Sequence, residues 1–141
     1  MIITGLRRRS ARPGFTFIEL IIAVAILAVL ALIVAPNAMR YLNEAKENTT
    51  QTNLQTIKTN IDDFIRRVNK APQSLNDLIR KPADLTERQW HGPYLDVKEV
   101  PNDGWGSPFV YKVVPGQHPP YQLYSWGPNG PGSPEEEWIL P

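Results

Sequence analysis

Between residues 15 and 70 the chain has no glycine and a single proline, and within that stretch the hydrophobic pattern changes its period. Residues 20–35 (LIIAVAILAVLALIVA) are apolar without a break, and reaching back to Phe15 adds only Thr16 and Glu19 as polar positions. At 1.5 Å per residue, about 20 apolar residues in a helix cross roughly 30 Å, the thickness of a bilayer core. The segment is a transmembrane candidate. Past Pro36 the run gives way to apolar positions spaced three and four apart: Leu42, Ala45, Leu54, Ile57, Ile61, Phe64 or Ile65, and Val68. These mark one face of an amphipathic helix. Pro36 has no N–H to donate and crowds the carbonyl four residues before it, which predicts a kink or a loosened turn. Asn69 and Pro72 predict the helix end. A continuous helix over this stretch would run about 84 Å, too long for a compact domain, so about half of it has to find its partners in lipid or in other subunits.

Residues 71–141 belong to a different regime, holding 12 of the 14 prolines, 7 of the 9 glycines and all four tryptophans. Such a Pro and Gly content alone would suggest disorder, but nine aromatics in the same stretch argue for a packed, turn-rich domain. Residues 109–114 (FVYKVV) and 121–126 (YQLYSW) read as strands, and the turn-rich 115–120 between them is compatible with a hairpin. Residues 73–80 predict a short helix capped by Ser74, with Leu75, Leu78 and Ile79 facing inward. The expected class is α+β: a long N-terminal helix, half transmembrane and half amphipathic, packed on a small C-terminal antiparallel sheet.

Length and composition then narrow the chemistry. The chain has 141 residues, 15 Lys plus Arg against 14 Asp plus Glu, and no cysteine. Disulfides, thiolate metal sites and cysteine nucleophiles are excluded. The near-zero net charge gives no footprint for nucleic acid. That balance hides a division: Arg7, Arg8, Arg9 and Arg12 stand in a first segment of 14 residues that contains no acid, leaving 11 basic and 14 acidic residues beyond it. Basic residues before the apolar run and a balanced mixture after it predict that the amino end stays cytoplasmic and the rest lies outside that membrane. A cleaved secretory signal shares the basic and apolar pattern. Against it stand the length of the run, the acid inside it, and Pro36 beside the small-residue cut after Ala35.

That acid, Glu19, is the most informative single residue. A carboxylate within an apolar span is costly and marks a functional position by default, unless it lies near enough to the interface to snorkel or protonate. Its surroundings, Arg12-Pro13-Gly14-Phe15-Thr16-Phe17-Ile18-Glu19-Leu20, resemble the class III signal peptide of type IV pilins and type II secretion pseudopilins. The resemblance implies that a prepilin peptidase cuts between Gly14 and Phe15 and methylates the new terminus. It also implies that Glu19 pairs with the amino terminus of a neighbouring subunit, and that Pro36 is the proline at which the helix melts. The organisation that follows is a leader over 1–14, an assembly and transmembrane helix over 15–35, an amphipathic half over 36–70, and a periplasmic loop-rich β domain over 71–141.

The other end narrows the family. Residues 102–109 (NDGWGSPF), followed by Tyr111, resemble the "DPWGNPY" element of the type II secretion major pseudopilins, and residues 121–130 (YQLYSWGPNG) resemble their "YDLYSLGADG". The resemblance implies a homopolymeric, non-enzymatic pseudopilus subunit, anchored in the inner membrane and working with minor pseudopilins, the prepilin peptidase and an inner-membrane assembly platform. A type IV pilin of an adhesive or DNA-uptake pilus, or a membrane-tethered binding domain, are the alternatives. It further implies a calcium site in the terminal loop. Here the family's acid is replaced by Asn129 and its later acids by Glu135, Glu136 and Glu137. An amide oxygen and one or two glutamates can serve calcium, though three adjacent glutamates are as readily a solvated tail. His91 and His118 lie in Gly- and Pro-rich loops without a catalytic partner. The tryptophans read as anchors of a small core rather than a sugar platform.

Overall fold

The computed structural model describes residues 14–141, so the basic leader lies outside the described residues. Their regular elements are one helix, α1 (Phe17–Val68), two short 3-10 turns (Leu75–Leu78 and Glu135–Glu137), and an antiparallel pair, β1 (Val110–Val113) and β2 (Tyr121–Tyr124). The class is α+β, as the patterning predicts. The helix passes through Pro36 without interruption. It ends at Val68, where Asn69 takes a positive φ of 62° and donates its N–H to the Ile65 carbonyl at 2.8 Å. Asn tolerates that left-handed conformation better than most residues.

The chain divides into two compact units at Arg40 and Tyr41. In the first, the large side chains from Phe15 to Met39 are exposed, Leu32 at 77%. A stretch of α1 is long and apolar enough to cross a membrane. No soluble monomer leaves a continuous apolar surface of this length in water, so it requires a cover.

The second unit has a conventional core. Leu54, Ile57, Ile61 and Phe64 are at most 1% exposed and cluster with Leu75, Leu78, Leu85, Leu95, Phe109, Tyr121 and Leu123. Burying each of the four helical side chains is worth about 1.5–3 kcal/mol against leaving it in water. The buried stripe starts later than the periodicity predicts, for Leu42 and Ala45 are exposed and burial beyond them begins at Thr50. Leu42 and Ala45 keep the helical period without a packed element above them. Along the outer face, the hydroxyls of Thr49, Thr52, Thr56 and Thr59 each donate to the carbonyl four residues back, at 2.8–2.9 Å. Their spacing of three and four places them in one stripe.

The short helix at residues 73–80 is a single 3-10 turn rather than an α-helix. The Asp77 carboxylate accepts the N–H groups of Gln73 and Ser74 at 2.7 and 3.0 Å, and the Ser74 hydroxyl donates to it at 3.2 Å. Ser74 is the N-cap, as expected, with Asp77 reaching back to its N–H, and these local bonds compete with a longer helix. Leu75 and Leu78 do face the core. Residues 81–109 are irregular, pinned by the Leu78 carbonyl accepting from Tyr94 and Leu95 N–H and by the Trp90 indole donating to the Asp77 carbonyl.

The strands pair Val110 with Tyr124 and Val113 with Tyr121, in the expected hairpin. The Tyr121 hydroxyl donates to Asp62 on α1 at 2.9 Å, and the Tyr111 hydroxyl to the Pro72 carbonyl at 2.8 Å. Burial first, then the Asp62 hydrogen bond and charge, push the Tyr121 phenol above its usual 10.0. Burial first, then the Asp77 charge, do the same for Tyr111. For a group whose folded pKa is raised, stability is complete below the unfolded value and is lost as pH rises past it. The melting temperature of the full chain should therefore hold to about pH 9 and fall above pH 10, with a shallower fall in Tyr121→Phe. A flat profile to pH 11 would refute the coupling.

Candidate functional site

Gly14, Phe15 and Thr16 precede α1 in non-helical conformation and are exposed, so the Gly14–Phe15 peptide is accessible. The Thr16 hydroxyl accepts the Glu19 N–H at 3.2 Å, and Glu19 Oε2 accepts the Thr16 N–H at a long 3.5 Å. This is a reciprocal capping box, which satisfies two of the donors that a helix start leaves open. Its signature, a Thr followed three residues later by a Glu, stands in the sequence as T-F-I-E. The geometry turns the Glu19 carboxylate toward the amino end of the helix, where negative charge is favoured by the helix dipole. A cut after Gly14 would create an ammonium at Phe15, one turn away.

The element at residues 102–109 proves to be a docking loop. Asp103 is 6% exposed and its Oδ1 accepts the N–H groups of Trp105 and Ser107 at 3.0 and 2.8 Å. Its Oδ2 accepts the buried Ser125 hydroxyl at 2.6 Å, joining this loop to the end of β2. Gly104 donates its N–H to the Thr50 hydroxyl at 2.8 Å and lies against the Lys46 backbone. Thr50 in turn donates to the Lys46 carbonyl at 2.8 Å. Asp103, Ser125, Thr50 and Gly104 thus form one buried polar joint, and no single segment of sequence displays it.

In the terminal loop, Ser125 and Ile139 exchange two backbone hydrogen bonds at 3.0 Å. Asn129 and Glu137 come together, the amide donating to the carboxylate at 2.6 Å, whereas Glu135 and Glu136 stand exposed on a 3-10 turn. Among the described residues, no three His, Cys, Asp or Glu side chains are grouped to hold a metal. Calcium takes six to eight oxygens. The loop's carbonyls are turned to its own donors instead: Trp126 accepts from the Ser133 hydroxyl at 2.6 Å, and Ser133 from the Trp138 indole at 2.9 Å. Of the side chains expected to hold calcium, one amide and one carboxylate, Asn129 and Glu137, converge. The histidines are exposed, as expected, and the four tryptophans are half-buried.

Residues 37–138 match the family model "Type II secretion system (T2SS), protein G", and residues 9–35 match the prokaryotic N-terminal methylation motif. The type II secretion system core protein G of Pseudomonas aeruginosa is 33% identical over 128 residues, covering 87% of this chain and 88% of that protein. Its counterpart in Klebsiella michiganensis is 28% identical over 139 residues, covering 94% and 97%. Among solved structures, the major pseudopilin from the type 2 secretion system of enterohaemorrhagic Escherichia coli is similar with a TM-score of 0.55 and 25% identity. It covers 74% of this chain and 92% of that one.

Proposed function

Because this chain belongs to the type II secretion system protein G family, we propose that it is the structural subunit of a secretion pseudopilus, a homopolymer that drives protein export across the outer membrane. The observation that carries the reading is the protein G match over residues 37–138, which takes in nearly the whole packed unit. That match favours a secretion filament over an adhesive or DNA-uptake pilus and over a tethered binding domain.

The subunit enters the inner membrane through residues 15–35, with its leader in the cytoplasm and residues 71–141 in the periplasm. A prepilin peptidase removes residues 1–14 and methylates Phe15. Removal takes away four positive charges and keeps the anchor. Lipid then covers the apolar side chains of α1, and neighbouring subunits cover them after assembly. Lipid tails are as apolar as leucine, so the exchange of one cover for the other is close to neutral. The preference for the filament has to come from elsewhere, and Glu19 supplies it by accepting the Phe15 ammonium of a neighbour. Each charge alone in a low-dielectric core is strongly penalised, and together they compensate. Pro36 lies where α1 has no N–H to hold a carbonyl one turn back, which makes that turn the place to loosen when the subunit leaves the bilayer. Minor pseudopilins and an inner-membrane platform are the further partners, and the energy comes from outside the chain, which has no phosphate-binding loop.

Sequencing and mass measurement of the mature subunit test this. A chain beginning with N-methylated Phe15, together with loss of export when the chain is deleted, is expected. An intact Met1, or a start at Pro36, would refute it.

A further inference from the structure

The terminal loop departs from the resemblance in a way that defines a different closing device. We propose that residues 125–141 are closed by a clasp built on Trp138, and that the loop holds its shape without a bound cation. Trp138 lies parallel to Tyr124, with ring centroids 3.9 Å apart and planes 7° from parallel. It meets Trp126 edge-on, at 5.5 Å and 89°. Its indole N–H reaches across the loop to the Ser133 carbonyl. One side chain thus ties the chain end to β2 by stacking and to the middle of the loop by a hydrogen bond. The other half of the clasp is the Ser133 hydroxyl, 9% exposed as a residue, donating to the Trp126 carbonyl.

The Trp126 and Ser133 carbonyls each already accept a hydrogen bond from within the loop. Such a carbonyl keeps one lone pair, and an ion using it would stand close to the positive hydrogen of the bonded donor. The residue at position 129 is a neutral amide, and its nitrogen donates to the Glu137 carboxylate. Calcium in such a loop brings distant carboxylates together. Here Asn129 already engages Glu137 and aromatic stacking does the rest. The backbone also closes tightly: Gly127 has φ 74°, and a Cβ there would stand 2.6 Å from the Glu137 carbonyl oxygen. Loop and tail therefore pack in direct contact.

The test uses the full chain in detergent, with thermal unfolding followed by tryptophan fluorescence in excess chelator and in millimolar calcium. A resident site at a hundred times its Kd would raise the melting temperature by roughly 10 °C or more. The expected result is the same melting temperature in both conditions. Trp138→Ala should melt lower in both, and Trp138→Phe, which keeps a ring to stack but has no N–H, should fall between. A wild-type chain that melts several degrees lower in chelator would overturn the proposal. So would a Trp138→Ala chain that melts like the wild type. Both readouts concern folding and are independent of whether the subunit polymerises.

Discussion

A chain carrying Glu19→Ala is expected to be cut after Gly14 as the wild type is, and to form almost no filaments. Peptidase access calls for the non-helical, exposed backbone at Gly14 and Phe15, which the substitution leaves in place. In the proposed filament, the new ammonium relies on this carboxylate. Without the carboxylate, every subunit entering the filament would carry a buried cation with no counter-charge, at a cost of about 3–5 kcal/mol. That is roughly two to three and a half orders of magnitude in each association constant. Glu19→Gln separates two roles of the residue. Glutamine serves in a capping box as glutamate does, so it preserves the bond with Thr16 while removing the charge. Filament yield measured for both variants should be lost in both. Normal yield from the glutamine variant would reduce Glu19 to a helix cap, and normal yield from the alanine variant would remove its assembly role altogether.

The second large effect is expected at Gly104. Its missing side chain lets the docking loop rest on α1, with the Lys46 Cα and carbonyl carbon each 2.7 Å from where a Cβ would stand. Those atoms belong to the helical backbone and cannot rotate aside. Gly104→Ala should push the loop away, break the bond from its N–H to Thr50, and strain the Asp103–Ser125 contact. The expected loss is about 3 kcal/mol or more, a fall in melting temperature on the order of 15 °C. Gly106→Ala is the control, since nothing lies within 4 Å of its Cβ position and only its φ of 89° resists substitution. That change should cost about 1–2 kcal/mol. Equal melting temperatures for the two variants would show that the close approach to α1 is not what holds the loop.

What could be read from the residues alone follows the range of the forces involved. The apolar run, the period of Leu54, Ile57, Ile61 and Phe64, and the Asn69 stop are local signals, and they locate α1 to within two residues at either end. Strand extents were legible to within two residues for the same reason. Leu42 and Ala45 misled because periodicity reports a face and not whether anything covers it. The 3-10 turn at Leu75–Leu78 turned on one aspartate reaching back, a contest between local hydrogen bonds that propensity averages away. The buried joint was out of reach, since Asp103 meets Ser125 across 22 residues and Gly104 meets Thr50 across 54. The Thr16–Glu19 box is legible in the sequence, because its spacing is a local signature of a helix start. In the terminal loop the acids were visible and their geometry was not: only Glu137 of the three turns to Asn129.

The threonine stripe of α1 bears on how one surface can live in two media. An unsatisfied hydroxyl moved from water into a dry contact costs about 1–3 kcal/mol. Thr49, Thr52, Thr56 and Thr59 are exposed, yet each hydroxyl already has its acceptor within its own helix. Removing water from that stripe leaves no donor stranded, and restoring water is equally free of rearrangement. The face is amphibious: a neighbour can settle on it and leave again with no side chain searching for a new partner.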